Sequence, residues 1–201
     1  MRITSSKFVT SVASKKNFIA DGIPQVAFVG RSNVGKSSLL NMLTNRNKLA
    51  KTSSTPGRTR LVNYFLMNDS FYFVDLPGYG YAQASKTMVE NWQALLAPYL
   101  TNNQNLKCVC VLVDSRHKPS ELDEIMITYL SHYAIPFVIV ATKTDKLVKS
   151  QVKLQMQMLA SELKVGISNI VPTSSESRVG QEELLNKIES LLAVHHNETQ
   201  D

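Results

Sequence analysis

Eight residues near the start of the chain have the types and spacing that bind phosphate. Gly30–Ser37, "GRSNVGKS", matches the pattern G-x-x-x-x-G-K-[ST] and lies between an apolar run and a helix-forming run. A segment of this kind is called a phosphate-binding loop (P-loop). Its glycines let backbone N–H groups turn towards phosphate. Lys36 would neutralise the outer phosphates and the Ser37 hydroxyl could bind Mg²⁺. The motif therefore predicts a nucleoside triphosphate as ligand, without choosing the base.

A second motif could serve the same phosphates. Asp75 closes an apolar run and begins "DLPG", Asp75–Gly78. Its carboxylate could hold Mg²⁺ through the metal's water shell, and the Gly78 N–H could contact the γ-phosphate. A D-x-x-G tetrapeptide alone is equally typical of a strand-ending turn, so its weight comes from its order and distance after the P-loop.

The segment "TKTD", Thr142–Asp145, could choose the base. The Asp145 carboxylate can accept hydrogen bonds from N1–H and the 2-amino group of guanine, whereas adenine has an acceptor at N1 and no 2-amino group. Lys143 would pack its stem along the base. Thr142 stands where asparagine is frequent, so its shorter hydroxyl would brace the loop. This pattern favours GTP over ATP.

Two further polar segments could complete the site. Thr173–Ser175 follows a short apolar run and offers backbone N–H groups to guanine O6. As an isolated tripeptide it has no meaning, and it counts only as a further loop at strand carboxyl ends, where open α/β sheets bind ligands. Residues 51–60 are polar and turn-prone and indicate a mobile loop. Within it, we expect Thr59 to bind Mg²⁺ when the γ-phosphate is present.

The elements that must position these segments alternate along the chain. Apolar runs predict strands at residues 24–30, 60–68, 70–75, 108–114, 136–145 and 169–175, and helical spacing predicts helices at 36–45, 86–100, 120–134, 150–163 and 181–194. Asn68-Asp69 indicates the turn of a hairpin. Such alternation is typical of a three-layer α/β domain with a mostly parallel sheet, here of six strands with one antiparallel edge strand.

Length and composition fit one globular domain. The chain has 201 residues, of which 43% are hydrophobic, and this is enough for a core. We expect the domain to span residues 22–194, between an N-terminal extension of residues 1–21 and a tail of residues 195–201, with both ends mobile. No apolar run has the ~18 residues that cross a bilayer, and no signal-peptide pattern is present, so we expect a cytoplasmic protein.

Cysteine and histidine give no sign of a metal site. Cys108 and Cys110 would point to the same face of a strand, and core packing is favoured over metal or redox chemistry because no partner cluster is present. The four histidines likewise form no ligand set. We therefore expect the chemistry to reside in the P-loop and its neighbours.

Positive charge is concentrated in the first third of the chain. Residues 1–60 contain eleven Lys or Arg and one acidic residue, Asp21, whereas the remaining residues contain eleven basic and fifteen acidic side chains. The excess could be a footprint for RNA phosphates, with Lys15, Lys16, Lys48, Lys51 and Arg60 as the candidate contacts. It could equally be a solvated surface around a few residues that serve a bound anion.

The motifs together resemble one family. "GRSNVGKSSL", "TPGRTR", "VDLPGYGYA", "TKTD" and "TSSESRVG" are similar to the EngB (YsxC/YihA) family, within the TrmE-Era-EngA-EngB-Septin-like P-loop GTPases, over residues 18–192. "DSRHKPSELD", residues 114–123, resembles a further family segment; otherwise it is a strand-ending loop and a helix cap. The resemblance implies a Ras-like fold and a slow GTPase that cycles between GTP and GDP during large ribosomal subunit assembly.

The resemblance also implies ligands, partners and site residues. These are GTP or GDP with Mg²⁺, and a large ribosomal subunit or its precursor with its rRNA and ribosomal proteins; we expect no membrane or DNA partner, and a monomer. Ser37 and Thr59 would bind Mg²⁺, and Lys36, Thr59, Gly78 and Asn33 would act in catalysis. The residues implied to contact nucleotide are Gly30, Arg31, Ser32, Asn33, Val34, Gly35, Lys36, Ser37, Gly57, Arg58, Thr59, Arg60, Leu61, Asp75, Leu76, Pro77, Gly78, Thr142, Lys143, Thr144, Asp145, Thr173, Ser174 and Ser175.

Tyr79 directly follows the D-x-x-G motif, where a glutamine could orient the attacking water. A phenol hydroxyl is poorly suited to that task, so we expect slow hydrolysis and little effect of Tyr79→Phe. Asn33 resembles the asparagine of potassium-activated GTPases, and its side-chain oxygen could bind K⁺ beside the phosphates. Alternatively, Asn33 only braces the P-loop.

Two other functions are compatible with parts of the pattern. A P-loop kinase of a small molecule would need an arginine-rich lid and an acceptor site, and it would not need the guanine-binding Asp145. A non-catalytic RNA-binding module could retain a nucleotide without turning it over. Multiple-turnover phosphate release, with and without ribosomal subunits, distinguishes these alternatives from a GTPase.

Overall fold

Seven strands and five α-helices make up the described part of the chain. The computed structural model describes residues 1–50, 61–79 and 95–197, and the structural statements below concern these ranges. The strands are β1 (Ser6–Val12), β2 (Gln25–Gly30), β3 (Val62–Met67), β4 (Phe71–Asp75), β5 (Leu106–Asp114), β6 (Phe137–Thr142) and β7 (Ile170–Pro172). The helices are α1 (Lys36–Thr44), α2 (Ala97–Asn102), α3 (Glu121–His132), α4 (Val152–Glu162) and α5 (Gln181–Asn197).

The strands form one sheet in the order β1-β3-β4-β2-β5-β6-β7. β2 pairs in parallel with β4 and β5, and β6 pairs in parallel with β5 and β7. β3 is antiparallel to both β4 and β1. The carboxyl ends of β2, β4, β5, β6 and β7 therefore lie at one edge of the sheet, where an open α/β sheet binds its ligand.

Helices cover both faces of the sheet, which gives the three predicted layers. Buried side chains of β2 and β5 alternate between the two faces. Phe28, Cys108 and Cys110 belong to the core that contains the apolar residues of α1 and α5. Val29 and Val109 belong to the core that contains the apolar residues of α2, α3 and α4. Both cysteines are free and buried, as predicted for core packing.

The predicted hairpin is present as β3 and β4. Asn68 and Asp69 both have left-handed backbone conformations, with φ of 50° and 52°, which these residue types tolerate better than most. The Asn68 side chain also holds the start of the chain, because its Oδ1 accepts hydrogen bonds from the N–H groups of Thr4 and Ser5 at 2.8 and 3.1 Å. The turn therefore anchors the residues that lead into β1.

The sheet has one strand more than the six predicted. β1 lies in the stretch expected to be a mobile extension, and it pairs with β3, so the antiparallel strand β3 is not the edge of the sheet. The ring of Phe8 stacks edge-on against Phe65 with centroids 5.7 Å apart, and Ile3 is buried. The prediction missed β1 because Lys7 and other exposed polar residues interrupt its apolar pattern, as is common in edge strands.

The other predicted elements agree with the structure where it describes them. α3, α4 and β7 fall within the predicted segments, and the last helix extends to Asn197 rather than residue 194. The predicted helix at 86–100, including Trp92, lies mostly outside the described residues, as do residues 198–201. Within the described ranges, no helix is long and apolar enough to cross a membrane. The proposed division at residues 22 and 194 stays a prediction.

Candidate nucleotide-binding site

The P-loop connects the central strand β2 to α1. A Cβ on Gly30 would lie 2.8 Å from the Leu112 carbonyl oxygen, so the close packing of β2 against β5 requires glycine there. Asn33 and Gly35 have left-handed conformations, with φ of 65° and 109°. These turns bring the chain into the first turn of α1, whose unpaired N–H groups and positive dipole end favour an anion.

The P-loop lysine faces the aspartate at the end of β4. Lys36 Nζ forms an ion pair with Asp75 Oδ1, and their side chains are only 14% and 11% exposed. Asn63 Nδ2 donates to the second Asp75 oxygen at 3.4 Å. The structure thus brings the two phosphate-directed motifs together. A magnesium–nucleotide complex offers each group a partner of opposite charge, phosphate for Lys36 and the hydrated metal for Asp75.

The residues beside this ion pair fit a magnesium ion that is held largely by nucleotide phosphates. Mg²⁺ in such sites takes one or two protein oxygens and keeps several waters. Ser37, in the first turn of α1, would supply a hydroxyl, and Asp75 would accept from metal-bound water. In residues 1–50, 61–79 and 95–197, no group of three or more His, Cys, Asp or Glu could form an all-protein cage. Thr59, the other predicted ligand, lies outside the described residues.

The D-x-x-G motif lies against the P-loop. A Cβ on Gly78 would be 3.1 Å from Gly30 O and 3.4 Å from the Ser32 nitrogen, so glycine permits this approach. The next residue pairs with the loop: the Tyr79 N–H donates to Gly30 O at 3.1 Å, and Tyr79 O accepts from the Ser32 N–H at 2.9 Å. This bridge places Gly78 directly beside the predicted phosphate position.

The Tyr79 side chain is buried in the core beside α3. Its hydroxyl donates to Asp123 Oδ1 at 2.8 Å. Burial raises the pKa of Tyr79 well above its usual value, and the neighbouring Asp123 charge raises it further. The phenol therefore stays protonated as a hydrogen-bond donor. The hydroxyl is engaged with Asp123 inside the core, and the expectation that Tyr79 does not orient the attacking water stays a prediction.

The two predicted base-binding segments, Thr142–Asp145 and Thr173–Ser175, contact each other, and the first of them also contacts the P-loop. The Thr142 hydroxyl donates to Val34 O at 2.7 Å, so the bracing predicted for this residue is confirmed. The N–H and hydroxyl of Thr144 both donate to Thr173 O, at 3.1 and 3.0 Å. These bonds join the ends of β6 and β7 to the P-loop, which places TKTD and Thr173–Ser175 on one side of the candidate site.

Lys143 is fixed by a residue to which sequence reasoning assigned no role. Its Nζ donates to Asn33 O and to Asp114 Oδ2, both at 2.9 Å. Asp114 also accepts two hydrogen bonds from the Arg116 guanidinium, at 2.9 and 2.8 Å. Burial alone would raise the pKa of Asp114, but the hydrogen bonds from Arg116 and Lys143 outweigh it and hold the pKa well below its usual range.

A sequence signal for Asp114 existed. It ends β5, whose neighbours β2 and β6 end in the P-loop and in TKTD. A charged residue at the carboxyl end of a buried parallel strand faces the same edge as its neighbours' ends. The segment 114–123 also contains the strand-ending loop and the helix cap that its sequence allowed, since Ser120 caps α3.

Asp145 is placed to act as an ionised acceptor. Its side chain is 17% exposed. Hydrogen bonding from Ser174 holds the pKa of Asp145 below its usual value; burial opposes this shift and Lys146 adds to it. Ser174 Oγ accepts from the N–H groups of Glu176 and Ser177, at 3.2 and 3.0 Å, and so shapes the turn after β7. An ionised Asp145, which lies just after β6 and contacts Ser174 of this turn, suits the two donors of guanine.

Most predicted site residues therefore gather at one edge of the sheet, and their contacts with nucleotide stay predictions. Leu61 is half-buried just before β3. Gly57, Arg58, Thr59 and Arg60 lie outside the described residues. A P-loop on the central strand, an aspartate facing its lysine, and a second lysine and aspartate on the base side define a P-loop GTPase.

Comparisons with known proteins agree with this class. A family model described as a 50S ribosome-binding GTPase matches residues 25–143. A probable GTP-binding protein EngB of Clostridium beijerinckii is 49% identical, over 94% of this chain and 96% of its own length. A crystal structure described as a probable GTP-binding protein EngB has a TM-score of 0.70 and 22% identity, over 84% of this chain and 98% of its own, which supports the fold.

A further structural neighbour is Era, crystallised in complex with MgGDPNP and nucleotides 1506–1542 of 16S ribosomal RNA. It has a TM-score of 0.59 and 24% identity, over 82% of this chain and 55% of its own. The chain belongs to the EngB family of GTP-binding proteins. It is therefore a GTP-hydrolysing enzyme, and neither a small-molecule kinase nor a non-catalytic module.

Asp145→Asn tests the assignment of the base-binding loop. The amide of asparagine donates where guanine also donates, so the binding free energy of GTP should weaken by on the order of 1–3 kcal/mol for each lost buried pairing. Xanthosine triphosphate (XTP) has a 2-oxo group that needs a donor, so it should bind better. Titration calorimetry with both nucleotides gives the ratio. Asp69→Asn, in the hairpin turn at the opposite end of the sheet, is the control. A GTP to XTP ratio that Asp145→Asn leaves unchanged would contradict the assignment.

Asp114→Asn tests whether Lys143 needs its carboxylate partner. Lys143 is predicted to pack along the base and not to contact the γ-phosphate, so the affinities for GTP and GDP should fall together, by about tenfold or about 1.4 kcal/mol. Glu162→Gln, which breaks the exposed Lys118–Glu162 pair, should leave both affinities unchanged. A loss confined to GTP, or no loss, would contradict the role of Asp114.

The same variant has a pH signature. Because the folded-state pKa of Asp114 lies below its unfolded value, its ionised form stabilises the fold above about pH 4, and this stabilisation is lost as the pH falls through the folded pKa. The stability difference between the parent protein and Asp114→Asn, measured by urea unfolding, should therefore shrink on acidification.

Proposed function

We propose that this GTPase acts in assembly of the large ribosomal subunit, as a cytoplasmic, monomeric switch that alternates between GTP and GDP forms. The observation that carries the proposal is the match of residues 25–143 to a family described as 50S ribosome-binding GTPases. The neighbour Era, which was crystallised with a ribosomal RNA fragment, supports an RNA partner for this fold. The precursor's rRNA and ribosomal proteins are the proposed partners.

The basic first third of the chain supports contact with rRNA. Residues 1–50 contain eight Lys or Arg and one acidic residue. Lys15, Lys16 and Lys48 are exposed, so their charges are available to phosphates of a partner. Lys51 and Arg60 lie outside the described residues. Lys36 is set apart from this surface by its pairing with Asp75.

Slow intrinsic hydrolysis is the second part of the proposal. Phosphoryl transfer depends on a positioned water and on positive charge near the bridging oxygens. Lys36 would supply charge, the Gly78 N–H would contact the γ-phosphate, and Thr59 would bind the metal. The Tyr79 hydroxyl is engaged with Asp123, so it does not position water. The chain therefore supplies charge and alignment, and fast turnover would need a further group.

Bound Mg²⁺ would neutralise charge on the phosphates, and K⁺ is the proposed further group. Asn33 is exposed in the P-loop with a left-handed backbone. Its carbonyl accepts from Lys143, and within the described part of the chain its side chain makes no hydrogen bond. The bracing is therefore done by the backbone, which leaves the side-chain oxygen for a cation beside the phosphates.

Sedimentation with large ribosomal subunits tests the ribosome proposal. The protein with GDPNP, and separately with GDP, is mixed with subunits over a range of salt concentrations. We expect association in one of the nucleotide states, and a steep loss as salt rises. Exchanging Lys15, Lys16 and Lys48 for Gln should reduce the log–log salt slope by about 2 to 3.

The matched control exchanges Lys118, Lys149 and Lys153, which are also exposed but lie in the acidic remainder of the chain. It should keep the parent slope, and both triple variants should bind GTP as the parent does. No association in either nucleotide state would contradict the ribosome proposal. If the salt slope is equal in the two triple variants, the N-terminal charges form a solvated surface and do not contact rRNA.

The cation proposal predicts faster GTP turnover in KCl than in NaCl at the same ionic strength. Asn33→Ala should remove the difference, because the ligand oxygen is lost. Asn47→Ala, which changes another exposed asparagine outside the P-loop, should retain it. Phosphate release is measured with and without ribosomal subunits. Equal rates in the two salts under both conditions would exclude K⁺ and favour a group supplied by a partner.

A further inference from the structure

The residue that follows the D-x-x-G motif is held from two sides. Its backbone bridges to the P-loop through hydrogen bonds with Gly30 and Ser32. Its hydroxyl, within the core, donates to Asp123 Oδ1 at 2.8 Å. Tyr79 therefore joins three parts of the molecule that are distant in sequence: the P-loop, the D-x-x-G motif and the start of α3.

Asp123 is a fixed acceptor. Asp123 is buried, with only 3% of its surface exposed. Oδ2 accepts from the Ser120 N–H at 2.8 Å and from the Ser120 hydroxyl at 2.7 Å, and the Asp123 N–H donates to Ser120 Oγ at 3.3 Å, which is a capping box at the start of α3. Oδ1 serves Tyr79. Because a buried carboxylate needs donors for its oxygens, this arrangement fixes the phenol relative to α3.

Gly78 lies between two residues, Pro77 and Tyr79, whose backbone conformations are restrained. The ring of Pro77 fixes its own φ. On the other side, the Gly78–Tyr79 peptide is fixed by the hydrogen bond from the Tyr79 N–H to Gly30 O. Glycine has the widest choice of backbone conformations. The direction of the Gly78 N–H therefore depends on how firmly Tyr79 is held.

We propose that Tyr79 is a positioning residue for GTP, which through its hydrogen bond to Asp123 holds Gly78 where its N–H contacts the γ-phosphate. GDP has no γ-phosphate, so this bond favours binding of GTP over GDP. The inference concerns the GTPase site and does not depend on the ribosome proposal. It replaces the expectation, drawn from the sequence alone, that Tyr79→Phe has little effect.

The test compares two conservative variants of buried tyrosines. Tyr79→Phe keeps the ring and removes the hydroxyl that bonds to Asp123. Tyr99→Phe removes a similarly buried hydroxyl, which donates to Gln25 Oε1 at 2.9 Å at the amino end of β2, away from the P-loop. Each variant is titrated with GDPNP and with GDP, and its melting temperature is measured.

Both variants should melt at a lower temperature than the parent. In Tyr79→Phe, the affinity for GDPNP relative to GDP should fall by about two- to tenfold, the effect of one hydrogen bond. In Tyr99→Phe that ratio should stay at the parent value. The GTP to XTP preference should be unchanged in both, because neither variant touches the base-binding loops.

A third variant separates the bond from the general stability of α3. Ser120→Ala removes the hydroxyl from the cap of α3, but the backbone N–H at position 120 still donates to Asp123 Oδ2, and Asp123 Oδ1 is still the acceptor for Tyr79. It should lower the melting temperature without changing the GDPNP to GDP ratio. An unchanged ratio in Tyr79→Phe, or the same change in Tyr79→Phe and the two control variants, would overturn the proposal and leave Tyr79 with a packing role only.

Discussion

The carbonyl groups of the P-loop must point away from a bound phosphate, and the neighbouring loops hold them there. Gly30 O accepts from the Tyr79 N–H, Asn33 O from Lys143, and Val34 O from the Thr142 hydroxyl. With these carbonyls bonded to neighbouring loops, the site is left to the first-turn N–H groups of α1, which have no partner within the helix and favour an anion. The site therefore depends on loops from β4 and β6 meeting at the end of β2.

Two lysines at this edge are each held by a carboxylate from the end of a neighbouring strand. Lys36 pairs with Asp75, and Lys143 pairs with Asp114. Partly buried charges are costly unless paired, so each pairing places its lysine as well as neutralising it. The two pairs differ in what the ligand offers. Phosphates and Mg²⁺ offer new partners to Lys36 and Asp75, whereas guanine offers no cation to Asp114, so we infer that the second pair persists when nucleotide is bound.

Local patterns in the sequence predict the α/β layers and the hairpin, since both depend on residues close together in the chain. The gathering of the site motifs at one sheet edge was predictable because the carboxyl ends of parallel strands lie on the same side. β1 escaped prediction because an edge strand with Lys7 and exposed polar residues buries little apolar surface. The bond between Tyr79 and Asp123 escaped because its partners are 44 residues apart and only the packing of α3 against the sheet brings them together. Asp114 falls between these cases: its position was predictable from strand topology, but its partners were not.

The two ends of β2 show why position in the fold, rather than residue type, decides what a buried polar group does. At the amino end, Gln25 accepts from Tyr99 and Asn103 and donates to Ile19 O, a closed network that ties the N-terminal segment to the sheet. At the carboxyl end, Tyr79 makes a bond of the same chemistry, but its backbone is paired with a loop that must adapt to phosphate. A hydrogen bond contributes similarly to stability at either end. At the carboxyl ends of the strands, where an open α/β sheet binds its ligand, the same kind of bond can also distinguish one bound nucleotide from another.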